Sequence, residues 1–214
     1  MTSNFQISRT LAKNNSSMQN TKKTVSQEAM QAEWLEIQDA QRSPAMFRPL
    51  YDRYYDPIFR FIFRRTANEE VAADVCSQVF LKAMQRLNKY QFKGVPFSAW
   101  LYRIASNEVA QHFRNTQKNP VVSMDERNFN HLASELDEPK NEELRNLLIQ
   151  SLDDLKPDDI LLIELRFFEE RPFKEIADIL EITESNAKVK TYRLLEKLKK
   201  IMLKKSPSGR ARNS

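Results

Sequence analysis

The amino-acid sequence predicts an all-α fold of two small helical domains joined by a flexible linker, with a helix-turn-helix in the second domain. Apolar residues recur at helical spacing over most of the 214 residues and almost nowhere alternate as they do in a strand. Residues 117–140 lack such a period and contain two prolines, which is typical of a linker. Near the C terminus, two short helical segments meet at a tight link, as in a helix-turn-helix.

The composition excludes several classes of protein. The chain is 41% hydrophobic and 29% charged, which fits a globular protein of one or two domains. No apolar run approaches the roughly 18–20 residues that cross a bilayer, and the N terminus lacks the apolar stretch of a signal peptide. We therefore expect a cytoplasmic protein without membrane insertion.

The residues that catalysis requires are scarce. Cys76 is the lone cysteine, which excludes an internal disulfide, and we interpret it as a small buried apolar residue. The two histidines form no His-x-x-x-His pair, and two glycines cannot build a glycine-rich phosphate loop. We expect no cofactor, no metal and no catalytic residue, and hence no enzyme.

Basic charge is concentrated in two places. Residues 46–116 hold eleven Lys/Arg against six Asp/Glu, and residues 182–205 hold eight against two. The stretches between them are acidic, with three Lys/Arg against seven Asp/Glu in 117–143 and five against ten in 144–181. This distribution predicts two anion-binding surfaces with an acidic connector.

The first domain is expected to span 28–116, after a polar, disordered tail at 1–27. Its first helix lies in EAMQAEWLEIQDAQ, with an apolar face of Met30, Trp34, Leu35 and Ile37. Ser43-Pro44 and Asp56-Pro57 each combine an N-cap residue with a proline, so each predicts the start of a helix. Pro49 is expected to bend the first of these segments or to begin a new turn.

Two longer helices complete the first domain. Asn68 is the predicted N-cap of EEVAADVCSQVFLKAMQRL, whose apolar stripe comprises Val71, Val75, Val79 or Phe80, and Met84. The loop NKYQFKGV then leads into a helix in PFSAWLYRIASNEVAQHFRN.

The second domain is expected to span 141–203, followed by a basic tail at 204–214. EELRNLLIQSLDDL forms one predicted helix, and Pro157-Asp158 opens the next. FKEIADIL and ESNAKVKTYRLLEKLKK then form the helix-turn-helix pair. A helical hairpin with an ordinary solvated basic face is the alternative to a DNA-binding unit.

The last helix has one packing side and one polar side. Its packing side comprises Ala187, Thr191, Leu194, Leu195 and Leu198. On the opposite side, small polar residues at the helix start can reach base edges, while later Lys and Arg residues meet phosphates. Glu181 stands where a glycine usually relieves the turn, at a cost of about 1 kcal/mol.

Aromatic and basic residues alternate around 88–114 of the first domain. On the helix 97–114 one face carries Arg103, Ser106, Asn107, Ala110 and Arg114. Exposed bases stack on rings and phosphates follow cations, so this region suits single-stranded or locally melted nucleic acid. The alternative is that the rings belong to the core, which we favour for Phe97, Trp100 and Phe113.

These stretches carry a resemblance to a known family. EWLEIQDAQRSPAMFRPLYDRYYDPIFRFIFRRT, AADVCSQVFLKAMQRL and PFSAWLYRIASNEVAQHFRN resemble the promoter-melting domain (region 2) of bacterial RNA polymerase sigma factors. The C-terminal pair, preceded by LDDLKPDDILLIELRFFEE, resembles their second DNA-binding domain (region 4). Two such domains with a short linker are similar to the extracytoplasmic-function (ECF) group of the sigma-70 family, which implies promoter-specific initiation of transcription.

The resemblance implies roles for individual residues. Asp74 and Gln78 match the helix that docks on the clamp of the polymerase largest subunit, and Phe80 is expected to pack inward. The loop 88–95 corresponds to the one that captures a base flipped from the −10 element. The implied −10 reading and melting residues are Lys89, Tyr90, Lys93, Arg103, Asn107 and Arg114. The implied −35 reading residues are Ser185, Asn186, Lys188, Lys190 and Arg193.

The resemblance also implies partners: core RNA polymerase, through the clamp and the flap of the second-largest subunit, and promoter DNA. An anti-sigma factor is common in this group, although no residue here identifies one. The sequence departs from the family pattern at Glu181, at Ala187 and Thr191 (usually larger aliphatics), and at Glu108 (commonly leucine). The alternative function is a helix-turn-helix regulator that acts without core polymerase, which would need a dimer surface.

Overall fold

The computed structural model describes residues 25–116, 124–138 and 140–206. The predictions for the tails at 1–24 and 207–214, and for 117–123 of the linker, lie outside this part of the chain. The described residues form helices and no β-strand, which confirms the all-α class. Among these helices, none has the length and apolar character needed to cross a membrane.

The first domain consists of four α-helices and two short 3-10 turns. They are α1 (Gln27–Arg42), a 3-10 turn (Pro44–Phe47), α2 (Arg48–Thr66), α3 (Glu69–Arg86), a second 3-10 turn (Leu87–Lys89) and α4 (Phe97–Thr116). α3 packs between α2 and α4. Fully buried side chains hold the three helices together, among them Ile58, Phe61, Ile62, Cys76, Val79 and Leu101.

The second domain consists of five α-helices and one π turn. They are α5 (Glu126–Glu135), α6 (Glu142–Leu152), α7 (Pro157–Ile163), a π turn (Glu164–Phe168), α8 (Phe173–Leu180) and α9 (Glu184–Lys205). α9 packs against α6, α7 and α8, and α5 packs against the π turn.

Several sequence predictions are confirmed in detail. Asn68 caps α3, since its Oδ1 accepts a hydrogen bond from the Val71 amide at 2.9 Å. Pro49 begins a new helix, because α2 starts at Arg48 directly after the first 3-10 turn. Cys76 is fully buried, and this burial raises the pKa of its thiol to about 12.

The prediction that a helix starts at Asp56-Pro57 is wrong, because α2 continues through Pro57. A proline inside a helix removes one backbone hydrogen bond and crowds the preceding turn, at a cost of about 3 kcal/mol. Ile58, Phe61 and Ile62 follow it and are completely buried. Their burial offsets the cost of the proline, since each large apolar side chain contributes about 1.5–3 kcal/mol.

The predicted apolar faces of α1 and α3 are partly wrong. Leu35 and Met84 are exposed, by 60% and 45%. On α1 the buried position belongs instead to Glu33, which accepts hydrogen bonds from the Tyr54 hydroxyl, from Arg53 Nη1 at 3.1 Å and from the Phe97 amide at 3.2 Å. Burial, together with the charge of Glu33, raises the pKa of Tyr54 and keeps it a donor.

Helix α5 lies within the stretch that the sequence predicted to be a linker without periodic structure. Asp125 caps it, because its Oδ1 accepts a hydrogen bond from the Asn128 amide at 2.7 Å. Its buried residues, Phe129, Leu132, Ala133 and Leu136, follow one helical face. The signal was present in the sequence, but it covers less than three turns between two prolines.

The hydrogen bonds that Glu33 accepts predict that loss of its carboxylate lowers stability more than loss of the neighbouring carboxylate of Glu36. Replacing Glu33 by alanine leaves buried donors without an acceptor, so we expect the free energy of unfolding to fall by about 1–3 kcal/mol. Glu36→Ala is the matched control: it removes another carboxylate that contacts Arg53, but one whose side chain is 40% exposed, and should cost less than about 1 kcal/mol. Urea unfolding measures both, and equal losses would contradict this account.

Candidate nucleic-acid interface

The C-terminal pair, α8 and α9, meets at the turn that the sequence predicted. α8 ends at Leu180, and its C-cap residue, Glu181, adopts the left-handed backbone conformation with φ 55°. Thr183 then caps α9, since its Oγ1 accepts a hydrogen bond from the Asn186 amide at 3.2 Å. The chain therefore reverses over three residues without a glycine.

The packing side of α9 is as predicted. Ala187, Thr191, Leu194, Leu195 and Leu198 are all buried, and Ile176 and Ala177 of α8 pack on the same core. Thr191 satisfies its hydroxyl by donating to the Ala187 carbonyl at 2.9 Å. Ala187 and Thr191 thus occupy positions where larger aliphatic residues are usual in the family, and both side chains are fully buried.

The five predicted −35 residues all lie on α9, but not all are equally available. Ser185, Asn186, Lys190 and Arg193 are exposed. Lys188 is half-buried, with its Nζ 2.8 Å from Glu184 Oε1 and 5.9 Å from the centre of the Phe173 ring. Lys190 and Arg193 are therefore better placed than Lys188 to meet a phosphate.

On α4 the predicted −10 face is only partly open. Asn107 and Arg114 are exposed, whereas the side chain of Arg103 is 20% exposed. Ser106 is buried, and its hydroxyl donates to the Tyr102 carbonyl at 2.7 Å. Arg103 is held by Glu181 of the second domain, with its Nη1 3.1 Å from Glu181 Oε1.

The loop between α3 and α4 offers two exposed cations, Lys89 and Lys93. Tyr90 is 9% exposed, and its ring centre lies 5.0 Å from that of Trp100 and 5.2 Å from that of Phe97. It forms part of the wall of a pocket of about 160 Å³ between the loop, α4 and α8. The core interpretation is confirmed for Phe97, which is buried; Trp100 and Phe113 are partly buried against the core.

The two predicted polymerase-docking residues lie on the outer surface of α3. Asp74 and Gln78 are both exposed and one helical turn apart, so they share a face. Phe80 points inward, as predicted, and meets the edge of Tyr51 at 4.8 Å between ring centres. Glu108 of α4 stands where leucine is common in the family. Its Oε2 lies 2.5 Å from Nζ of Lys82 of α3, so an ion pair connects these two helices.

The structure also brings the two candidate surfaces together, which the sequence did not predict. α4 of the first domain packs against α8 of the second. Beside this contact lies a cleft of about 510 Å³, lined by Arg103 and Asn107 from α4 and by Lys190 and Arg193 from α9. Residues from both predicted DNA-reading sets thus face one space.

Buried charges hold the two domains together. Arg65 of α2 pairs with Glu164, and Arg64 pairs with Glu169, which also accepts a hydrogen bond from the Tyr102 hydroxyl at 2.6 Å. Glu164 is completely buried, and this burial raises its pKa although Arg65 opposes the rise. Sequence reasoning missed this cluster; its signal was Glu164 inside the apolar run ILLIELRFF, with Glu169 directly after it.

Family models match both domains. The model described as Sigma-70 region 2 matches residues 50–119, and the model described as Sigma-70, region 4 matches residues 145–198. These matches coincide with α2–α4 and with α6–α9.

Curated proteins show the same similarity along the chain. The ECF RNA polymerase sigma factor BldN of Streptomyces coelicolor is 30% identical over 158 residues, 73% of this chain; the chain spans 60% of that protein's length. The RNA polymerase sigma factor YlaC of Bacillus subtilis is 30% identical over 163 residues, covering 72% of this chain and 91% of that protein.

A solved structure shows the same fold. The sigma factor RpoE of Bartonella quintana, in complex with the anti-sigma factor NepR, gives a TM-score of 0.51 at 16% identity. The likeness covers 75% of this chain and 98% of that chain.

The exposure of the α9 residues predicts a difference in salt dependence. For mixed-sequence duplex DNA, the logarithm of the binding constant falls linearly with the logarithm of the salt concentration. Lys190→Ala should make this slope less steep by about 1, because one phosphate contact is lost. Lys188→Ala should lower it less, since Glu184 already holds that charge. Lys140→Ala, an exposed cation outside α9, is the control; an equal fall there would mean that the slope reports overall charge.

Proposed function

The chain belongs to the ECF group of the sigma-70 family, and from this premise we propose that it binds core RNA polymerase and directs it to promoters. The observation that carries the proposal is the presence, in one chain and in family order, of a region 2 and a region 4, each with exposed cations on or beside its predicted reader helix. The polymerase performs the catalysis, and this chain supplies recognition.

In this proposal α9 enters the major groove of the −35 element. Ser185 and Asn186 stand at the exposed start of the helix, where short polar side chains reach base edges. Lys190 and Arg193 follow on the outer surface and meet phosphates. Lys188 assists once Glu184 releases it.

The first domain recognises and opens the −10 element. Arg103, Asn107 and Arg114 contact the DNA along α4, and the loop with Lys89, Tyr90 and Lys93 receives a base flipped out of the stack. Flipping a base costs a few kcal/mol, which a protein pocket offsets. The small pocket beside Tyr90 supports this role, because its lining joins ring surface to cations.

The surface of α3 around Asp74 and Gln78 docks on the clamp of the largest subunit, and region 4 contacts the flap of the second-largest subunit. An anti-sigma factor is a further proposed partner. The sigma factor RpoE, which shares this fold, was solved with such a protein.

Run-off transcription tests the function directly. Purified core RNA polymerase is supplied with a library of genomic promoter fragments, with and without this protein. We expect new start sites that share two short elements at about −10 and −35. Absence of both initiation and core binding would overturn the sigma assignment and favour a helix-turn-helix regulator that acts alone.

The docking role of α3 predicts the effect of a double variant. Asp74→Ala with Gln78→Ala should weaken binding to core polymerase about five- to thirty-fold, the range for losing interface contacts worth about 1–2 kcal/mol. Both side chains are exposed, so helix content should not change.

Glu69→Ala is the matched control. Glu69 is an exposed acidic residue of the same helix but lies about 140° around the axis from Asp74. Fluorescence titration with labelled core polymerase measures all three proteins. Unchanged affinity of the double variant would remove Asp74 and Gln78 from the interface.

A further inference from the structure

Helix α1 contacts the loop 88–95 at its start, at its middle and at its end. At the start, the Nε2 amide of Gln41 donates to the Leu87 carbonyl at 2.8 Å and to the Tyr90 carbonyl at 2.9 Å. Both N–H groups of this amide are thus used. The Leu87 carbonyl also accepts a hydrogen bond from the Tyr90 amide at 3.0 Å, so Gln41 supports the turn from which the loop leaves α3.

Trp34 of α1 contacts the middle of the loop. Its ring centre lies 6.0 Å from that of Tyr90 and 6.2 Å from that of Phe92, and the planes of the Trp34 and Phe92 rings differ by 24°. Ring pairs at this separation attract each other and prefer defined orientations. Two of the aromatic side chains of the loop therefore rest on α1.

Glu33 of α1 contacts the end of the loop. Its buried Oε2 accepts a hydrogen bond at 3.2 Å from the amide of Phe97, the first residue of α4. Glu33, Trp34 and Gln41 lie within about 100° of one another around the axis of α1 and span about 12 Å along it. One face of α1 thus supports the loop from the C-terminal end of α3 to the start of α4.

The loop has few hydrogen bonds of its own. Within the part of the chain that the structure describes, the backbone of residues 91–95 forms no hydrogen bond with another residue. A segment of this kind owes its shape to the side chains that contact it, and it opens locally more easily than a helix does. The conformation of the loop therefore depends on the three residues of α1.

No function has yet been attached to α1. The match to the region 2 family model begins at residue 50, whereas α1 ends at Arg42. The sequence analysis gave α1 an apolar packing face, and Gln41 was not among the predicted site residues. Its contacts with the loop are visible only in the folded chain, because they join residues more than forty positions apart.

We propose that α1 is a positioning element for base capture, and that Gln41 is the positioning residue that sets the conformation in which the loop 88–95 receives a flipped base. The inference rests on the proposed function, because that function assigns base capture to this loop. A site discriminates well only when supporting contacts hold its groups within about 0.5 Å of the productive geometry. Gln41 gives such support to the carbonyl of Tyr90, a residue that lines the pocket.

Gln41 is the residue of α1 whose replacement tests this role most directly. Glu33 also accepts hydrogen bonds from Tyr54 and Arg53, so its removal disturbs the packing of α1 on α2. Trp34 packs against the core of the domain. Both hydrogen bonds of Gln41, in contrast, go to the loop and to the turn that precedes it.

The two tryptophans of the chain report the position of the loop, because the rings of Trp34 and Trp100 both contact that of Tyr90. Gln41→Glu keeps the shape of the side chain but replaces its two donors by a carboxylate, which repels the carbonyl oxygens of Leu87 and Tyr90. We expect the loop to leave Trp34, and acrylamide quenching of tryptophan fluorescence in the full chain to rise about two-fold. Gln41→Ala only removes the hydrogen bonds and should raise the quenching less.

Two further variants serve as control and rescue. Gln31→Glu is the matched control, because Gln31 is an exposed glutamine of the same helix and receives the same charge; its quenching should equal that of the unmodified protein. Gln41→Lys is the rescue, because an ammonium group again offers donors to the two carbonyls, and it should return the quenching toward the original value. Circular dichroism should show the same helix content in every variant.

Base discrimination tests the role of Gln41 in recognition. Core polymerase with each variant binds the promoter that run-off transcription identifies, in versions that carry each of the four bases at every position of both elements. We expect Gln41→Glu to lower the affinity ratio between the best and the worst base about five-fold or more at one position of the −10 element, and Gln41→Lys to restore it. At the −35 positions the ratio should not change, because α9 reads them.

Three results would overturn the positioning role. The first is unchanged quenching in both Gln41→Glu and Gln41→Ala. The second is an equal loss of discrimination in the −10 and −35 elements, since lower overall stability would then explain it. The third is increased quenching with unchanged discrimination at every −10 position. Failure of run-off transcription with increased quenching would overturn the sigma assignment alone, and it would still support α1 as the element that positions the loop.

Discussion

The buried carboxylate of Glu164 is the constraint on which the arrangement of the molecule depends. A fully buried carboxylate must be paired, and its partner, Arg65, belongs to the other domain. Glu169 lies beside it between Arg64 and Tyr102, again across the domain boundary. Separating the domains therefore requires that these groups meet water or another partner, so the relative position of the two proposed DNA-reading surfaces is set by charge as well as by apolar packing.

Most of the local structure followed from the sequence. The capping residue Asn68, the packing side of α9 and the inward direction of Phe80 were all predicted, because capping and one-sided burial are properties of a single helix. The errors arose where other elements decide. Pro57 is tolerated because the residues after it are buried by α3 and α4, and Glu33 is buried because Tyr54 and Arg53 satisfy it.

The candidate site was predicted as two separate sets of residues, and the structure places two members of each set beside one cleft. Periodicity identifies which face of a helix is buried, but it does not identify which distant surface covers a polar face. The sequence did mark two of the positions that matter, Glu181 and Glu108, as departures from the family pattern. Both turn out to form ion pairs between elements, with Arg103 and with Lys82.

The π turn at 164–168 sets the position of Glu169, which contacts Tyr102 of the first domain. The Glu169 amide bonds to the Glu164 carbonyl at 2.8 Å, five residues back, so this turn contains one residue more than an α-helical turn. Loss of one residue here would restore a regular helix and rotate everything after it by about 100°. Glu169 would then leave Tyr102 although no side chain had been replaced. The relative position of the two domains is thus specified by the length of this segment as much as by its chemistry, and relatives that differ here by an insertion or a deletion should differ in interdomain geometry.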